Sequence, residues 1–395
     1  MRLKRLSQRA LIYGVPSLFT WYAIRIGSPK WPEIVVEGIV TEALPAPPRE
    51  TPRKQGRIQQ VATERTRKRR TATAALTGLL ALAVLLSIAL GAEPLTPGQV
   101  WHGLWHASGS EGDVIVRSLR LPRTVTALVA GVALGAAGAL MQGHTRNPIA
   151  DPVVLGISAG AGMGVVASLF LIGVSSLYGY VWFGFLGAAL AGTLVYAVGA
   201  LTRGGATPVT LALAGAAAHA LFTAVTAGMV LFDRQALETY RFWTVGSVAG
   251  QPLELTAKAL PFVLAGLVLA ALNTPGLNAL SLGEDVARML GVRIGPTRAV
   301  GMAAVTLLTG TAVAMCGPIG FVGLVGTHVA RYFSGPDYRW IVAQAALIGA
   351  ALMLLADTLG RLVARPGELQ VGIMLALIGA PVFIQLVRRR EAVRI

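Results

Sequence analysis

Asp357 and Arg361 stand one helical turn apart in an otherwise apolar stretch of this 395-residue sequence. Residues at i and i+4 share a helix face, so the two can pair. A carboxylate at membrane depth is a functional candidate, able to carry a proton for an ion-coupled carrier. With a cation built in beside it, a structural ion pair is the favoured reading. His102 and His106 have the same spacing, which suits two imidazole ligands of a metal on one helix. No third ligand stands near them in the sequence, and Trp101, Leu104 and Trp105 mark the segment as amphipathic, resting in a membrane interface. His144, His219 and His328 are isolated and take no ligand role. Cys316, the single cysteine, lies in an apolar run and reads as a small buried hydrophobe. No Gly-Lys pair occurs anywhere, so the chain lacks the loop whose backbone amides and lysine hold nucleotide phosphates. Neither an enzyme active site, nor a resident metal, nor a cofactor is expected.

The elements that carry these residues are set by composition. Apolar residues make up 54% of the chain and charged ones only 13%, against about 25% charged in soluble proteins. The 47 glycines suit helices that approach closely in lipid. The apolar runs are continuous rather than alternating, which argues for membrane helices and against a barrel. The net charge of +16 invites a nucleic-acid reading, but residues 1–70 alone carry 15 basic and 5 acidic side chains. Most of the remainder lies in short loops, where basic residues set membrane orientation. Nucleic acid is therefore not an expected partner. No cleavable signal peptide is evident, since Leu11–Ile26 is broken by Pro16 and Arg25.

Residues 1–73 read as a separate basic extension, linker-like at Leu44–Pro48 and Arg65–Arg70. A disordered tail is favoured over an arm on anionic cytoplasmic lipid. Residues 74–395 form the transmembrane domain. Its expected spans are 74–92, 121–142, 153–173, 180–201, 209–231, 256–272, 298–316, 321–333, 341–363 and 370–387, ten in all. The eighth is too short to cross unaided, so its flanks must be buried in protein. Gly317-Pro318 breaks the helix just before it. With the N-terminus inside, the inner loops hold Arg146, Arg203, Arg288, Arg293, Arg298, Arg331, Arg339 and Arg388–Arg390, while the outer loops are mixed in charge. That asymmetry predicts a multi-pass protein of the cell (plasma or inner) membrane with both termini cytoplasmic. Gly131/Gly135 and Gly156/Gly160/Gly164 form small-residue stripes for helix packing.

Several stretches resemble the FecCD family of ABC importer permeases. They are Leu119-Arg120-Leu121-Pro122-Arg123; Gln142 with Arg146-Asn147-Pro148-Ile149-Ala150-Asp151-Pro152 and Leu155–Ala161; Leu282–Val292; Gly317–Val325 followed by His328–Arg331; and Ala356-Asp357 through Arg361 and Glu368 to Gly379–Phe383. They keep one order over residues 74–390. Thr327 and Gln370 stand where the family usually has proline, which frees the backbone at both places.

The resemblance implies an all-α permease of the type II ABC importer fold. The implied function is import of an iron–siderophore or related metal chelate, with vitamin B12 or haem as alternative cargo. It implies three kinds of partner besides membrane lipid: a second permease subunit in a homodimer or heterodimer, two cytoplasmic ATPase subunits, and an extracytoplasmic substrate-binding protein. The segment Leu282, Gly283, Glu284, Asp285, Val286, Ala287, Arg288, Met289, Leu290, Gly291 would be the loop that docks on the ATPase, within an inside loop spanning Asn273–Thr297. Its Val286, Met289 and Leu290 lie on one face; a helix lying on the membrane surface is the competing reading. Arg120, Arg123 and Arg365 would meet carboxylates of the binding protein, with helix-end snorkelling as the alternative. Small residues of the fifth span, Ala212, Gly215 and Ala216, would border the translocation path, although the same pattern also suits tight helix packing. An ion-coupled secondary carrier using Asp357 is the alternative from another class. The long inner loop favours the ATP-driven reading, and no inverted repeat supports the carrier.

Overall fold

A computed structural model describes residues 52–388 except 107, 175, 203 and 204. Thr63–Ile395 is one compact unit, and among the described residues its regular structure is all helical. In chain order the helices are α1 Pro52–Ala89, α2 Pro97–Trp105, α3 Glu111–Thr145, α4 Ile157–Ile172, α5 Leu177–Leu201, α6 Pro208–Phe232 and α7 Arg234–Val245. They continue with α8 Leu253–Ser281, α9 Glu284–Met289, α10 Ile294–Cys316, α11 Val322–Ser334, α12 Tyr338–Val363 and α13 Val371–Arg388. A 3₁₀ turn, Pro152–Leu155, precedes α4, and α3 opens through a π-helical stretch, Ile115–Arg120.

Each of the ten expected spans coincides with a helix: α1, α3, α4, α5, α6, α8, α10, α11, α12 and α13. Seven of these are long and apolar enough to cross a membrane; α4 and α13 are shorter apolar helices. The short α11, 13 residues, is the span expected to need burial by its neighbours. The remaining helices, α2, α7 and α9, lie between spans.

Two boundaries differ from the sequence reading. The expected domain limit after residue 73 falls inside α1, because arginine and lysine are good helix formers and carry the helix past the apolar run. Residues 1–51, read as a disordered extension, lie outside the described residues. The sixth span was expected to end at residue 272, yet α8 runs on to Ser281 through Pro275. Proline there leaves the Ala271 carbonyl without its backbone donor. The Thr274 hydroxyl fills that role, donating to Ala271 O at 2.8 Å.

Burial orders the helices from centre to rim. In α3 78% of the membrane stretch is buried inside the protein, and in α1 only 11%. The glycine stripes explain the close packing. A Cβ at Gly135 would lie 2.1 Å from the Ala345 carbonyl of α12, and one at Gly164 would lie 2.1 Å from the Phe183 carbonyl of α5. Backbones in contact need that missing methyl. By contrast α1 touches the core along a single stripe that includes Leu76, Leu80, Ala83 and Val84.

Candidate functional site

The chain is interrupted between the apolar helices α10 and α11. Cys316 ends α10, Gly317 follows at φ 73°, and Phe321 at φ 68° caps α11. Left-handed backbone costs a bulky L-residue about 1–2 kcal/mol, so Phe321 is held there by its surroundings. Its ring meets Phe383 edge-on at 6.4 Å. The freed backbone groups are paired within the protein: Ser247 N donates to Cys316 O at 2.7 Å and Gly317 N to Val313 O at 2.8 Å. Such pairing is what permits broken helix in a membrane.

Beside the break lies a cavity of about 720 Å³, bordered by Asp151, Val209, Ala212, Ala216, Phe321 and Phe383 among others. Two of the three small α6 residues expected at a path, Ala212 and Ala216, line it. Gly215 does not: it is buried, with its carbonyl against Gly156 at the start of α4. Positions 212 and 216 lie about one turn apart, while 215 sits about 100° around the helix from 216. Asp151, part of the Arg146–Pro152 motif, also borders this cavity. It caps the 3₁₀ turn by accepting Val153 N at 2.9 Å. Burial raises its pKa, against the opposing effect of the Val153 and Phe321 amides. The Asp-Pro pair at 151–152 was the available signal, as a turn initiator.

At the opposite end of α3 and α12 the charged residues converge. Arg123 Nε donates to both carboxylate oxygens of Asp357, at 2.9 and 3.0 Å, and its Nη1 reaches Glu368. Arg361 Nε lies 3.1 Å from Asp357 Oδ2. Arg361 Nη1 also takes the Ser87 and Leu90 carbonyls at 3.0 and 2.9 Å. Arg120 takes Ile88 O at 2.9 Å, Ala89 O at 2.8 Å and Glu93 O. Arg365 Nη2 takes Gly91 O at 2.6 Å. Arg120 and Arg361 therefore cap the carbonyl end of α1, where terminal carbonyls run short of helical partners and attract cations, and Arg365 holds the turn just past it.

This geometry gives two of the expected docking residues partners inside the chain. Arg120 and Arg123 are buried, 3% and 8% exposed, and their guanidinium groups are engaged inside the protein. The cause is the unpaired end of α1 in one case and the Asp357 carboxylate in the other. Arg365 is exposed. A cavity of about 460 Å³ adjoins the cluster, lined by Arg120, Arg123, Arg361 and Glu368 among others.

The segment expected to meet an ATPase forms α9, closed by Gly283 at φ 115° and Gly291 at φ 79°. Glu284 accepts from Arg298 of α10 at 2.6 Å, which ties α9 to the next span. Arg288 pairs with Asp285 at 3.1 Å and Glu284 at 3.6 Å on the surface. The exposed apolar side chains are Leu282, Met289 and Leu290, at 64%, 79% and 62%. Val286 is half-buried and Ala287 buried, so the free face is rotated from the one expected. The cause is that α9 packs on α8 and α10, which cover the Val286–Ala287 side.

His102 and His106 stack, with ring centroids 5.0 Å apart. His102 Nδ1 lies 3.0 Å from Oδ1 of the buried Asp113. Among the described residues no group of three or more ligating side chains could hold a metal.

Residues 79–389 match the FecCD transport family. The chain is 42% identical to the ferric enterobactin transport system permease protein FepD of Escherichia coli, over 79% of this chain and 93% of that one. It is 41% identical to the iron(3+)-hydroxamate import system permease protein FhuB of Bacillus subtilis, over 79% and 82%. Among solved structures, an inward-facing metal-chelate type ABC transporter superposes with a TM-score of 0.70 at 28% identity, covering 81% of this chain and 99% of that one. The long apolar helices, the broken α10–α11 pair and these matches over most of its length agree: the chain is a multi-pass membrane transport subunit that belongs to the FecCD transport family.

Proposed function

We propose that the chain is the permease subunit of an ABC importer for an iron–siderophore or related metal chelate. ATP hydrolysis belongs to separate ATPase chains, because this sequence has no phosphate-cradling loop. The observation that carries the reading is α9 with its flanking residues, which offer Leu282, Met289 and Leu290 to solvent while α9 is bonded to the span that ends at the broken helix. Exposed apolar clusters of this kind mark protein contacts. Two relatives named for ferric enterobactin and iron(3+)-hydroxamate import support the cargo class.

The geometry supports a sequence of motions. Closure of the ATPase pair displaces α9, and the Arg298–Glu284 bond passes that displacement to α10. This helix of 23 residues spans about 35 Å at 1.5 Å per residue. Its far end is the Gly317–Phe321 break beside the Ala212 and Ala216 cavity, so a push at one membrane face arrives at the path. A second permease subunit would complete that path, and lipid would cover the outer faces. Both termini are proposed to be cytoplasmic, from the arginine asymmetry of the loops. Arg365, exposed near the outer cluster, remains the candidate contact for a binding protein.

The cargo is tested by mass spectrometry of the cognate binding protein purified from cells grown in iron-poor medium. An iron chelate in its cleft is the expected result. Cobalamin or haem there would overturn the cargo assignment and leave the permease reading standing.

A further inference from the structure

In the basic run before the first span, Arg65, Arg67, Lys68 and Arg70 are exposed, whereas Arg69 turns into the protein. Its Nε donates to Ser334 O at 2.9 Å and its Nη1 to Asp337 Oδ2 at 3.2 Å. Its own carbonyl accepts Gln344 Nε2 at 3.3 Å, and the same amide donates to Thr73 Oγ1 at 2.9 Å. The Gln344 carbonyl oxygen is taken in turn by Ser334 Oγ at 2.7 Å. One residue of α1 thus holds both the end of α11 and the start of α12.

Asp337 carries the connection further. Its Oδ1 accepts Asn278 Nδ2 at 3.0 Å and Arg339 N at 3.1 Å, while Asn278 Oδ1 accepts Tyr338 N at 2.8 Å. Asn278 lies in the last turn of α8, which leads directly into α9. The base of α9 is therefore fixed to the α11–α12 junction by a reciprocal two-point contact, and that junction is fixed to α1 by Arg69. A guanidinium fork can hold two acceptors in one rigid geometry, which a single ammonium cannot. Elsewhere α1 packs along a narrow stripe, so this polar clasp defines where its inner end sits.

We propose that Arg69 is a positioning residue for energy coupling: it locks the α11–α12 junction against α1, so that displacement of α9 moves the transport helices instead of rocking the junction. This rests on the proposed role of α9 as the ATPase contact. Without the clasp, ATP hydrolysis would proceed while fewer strokes move cargo.

The test uses the complete importer, reconstituted in liposomes with its ATPase and binding protein, and reads ATP hydrolysed per cargo molecule imported. Arg69→Ala is expected to raise that ratio about fivefold or more, the lower range of a coupling free energy, with the amount of assembled complex unchanged. Arg69→Lys keeps the charge but not the fork, so an intermediate ratio is expected. An unaltered ratio in both single variants overturns the proposal. So does loss of assembled complex in Arg69→Ala that Arg69→Lys does not restore, because that describes a merely structural contact. Uptake by the wild-type importer that ignores ATP is a different result: it removes the permease reading itself, whatever Arg69 does.

Discussion

Arg123 and Asp357, 234 positions apart in the chain, meet in a buried two-point contact in which one guanidinium nitrogen serves both carboxylate oxygens. Asp357 also faces Arg361 at 3.1 Å, so a single buried carboxylate balances two cations. Removing one partner from a buried ion pair costs about 3–5 kcal/mol, because it leaves charge uncompensated. Asp357→Asn should therefore lower the melting temperature of the solubilised chain and its level in the membrane. Uptake per folded chain should stay within about twofold, a shift of less than 0.5 kcal/mol. An ion-coupled carrier would instead lose uptake at full membrane level.

The same contact separates Arg123 from Arg365. Arg365→Glu, on an exposed residue, should slow association of the binding protein about tenfold at low salt and have little effect near 1 M, where the screening length falls to about 3 Å. Arg123→Glu should act through stability, since it sets a third carboxylate against Asp357 and Glu368. Surface plasmon resonance at two salt concentrations and a melting curve distinguish the cases. Identical affinity for Arg365→Glu at low salt takes that residue out of the docking surface.

Ala216→Phe should obstruct the cavity beside the broken helix. Uptake is expected to fall about tenfold or more, equivalent to a barrier of at least 1.4 kcal/mol, with assembly and basal ATP hydrolysis retained. Gly215→Phe is the contrasting variant, because its backbone lies against α4; it should reduce folded protein. Normal uptake in Ala216→Phe would move the path elsewhere.

Truncation bears on the boundary inside α1. A chain beginning at Thr66 keeps Arg69 and Thr73 with their bonds to Ser334, Asp337 and Gln344, and should insert and transport. A chain beginning at residue 74 loses all three contacts and should import poorly for each ATP spent. Equal performance of the two in liposomes would show that the inner end of α1 has no part in transport.

Much of this was legible in the sequence because membranes impose few solutions. Continuous apolar runs fix helices, and all ten expected spans coincide with one. Gly317-Pro318 announced the break. What the sequence did not show were long-range partners. Nothing near Arg120 in the chain reveals that it serves the carbonyls of Ile88 and Ala89, and the pairing of Arg69 with Asp337 joins residues 268 apart. Periodicity also misplaced the exposed face of α9: the pattern grouped Val286 with Met289, whereas packing against α8 and α10 covers Val286. The continuation of α8 through Pro275 was hidden because its compensation, a hydroxyl from Thr274, is a local bond that propensity alone does not register.

The central claim is that α9 couples this chain to ATP hydrolysis elsewhere. It is tested most directly by cargo uptake into vesicles holding the importer, with and without internal ATP, for the wild type and for Met289→Asp with Leu290→Asp. Two charges on the exposed apolar face should prevent it from entering an apolar cleft. Wild-type uptake is predicted to require internal ATP, and the variant to show little uptake even when ATP is present. Uptake that proceeds without ATP and survives the α9 substitutions would contradict the account.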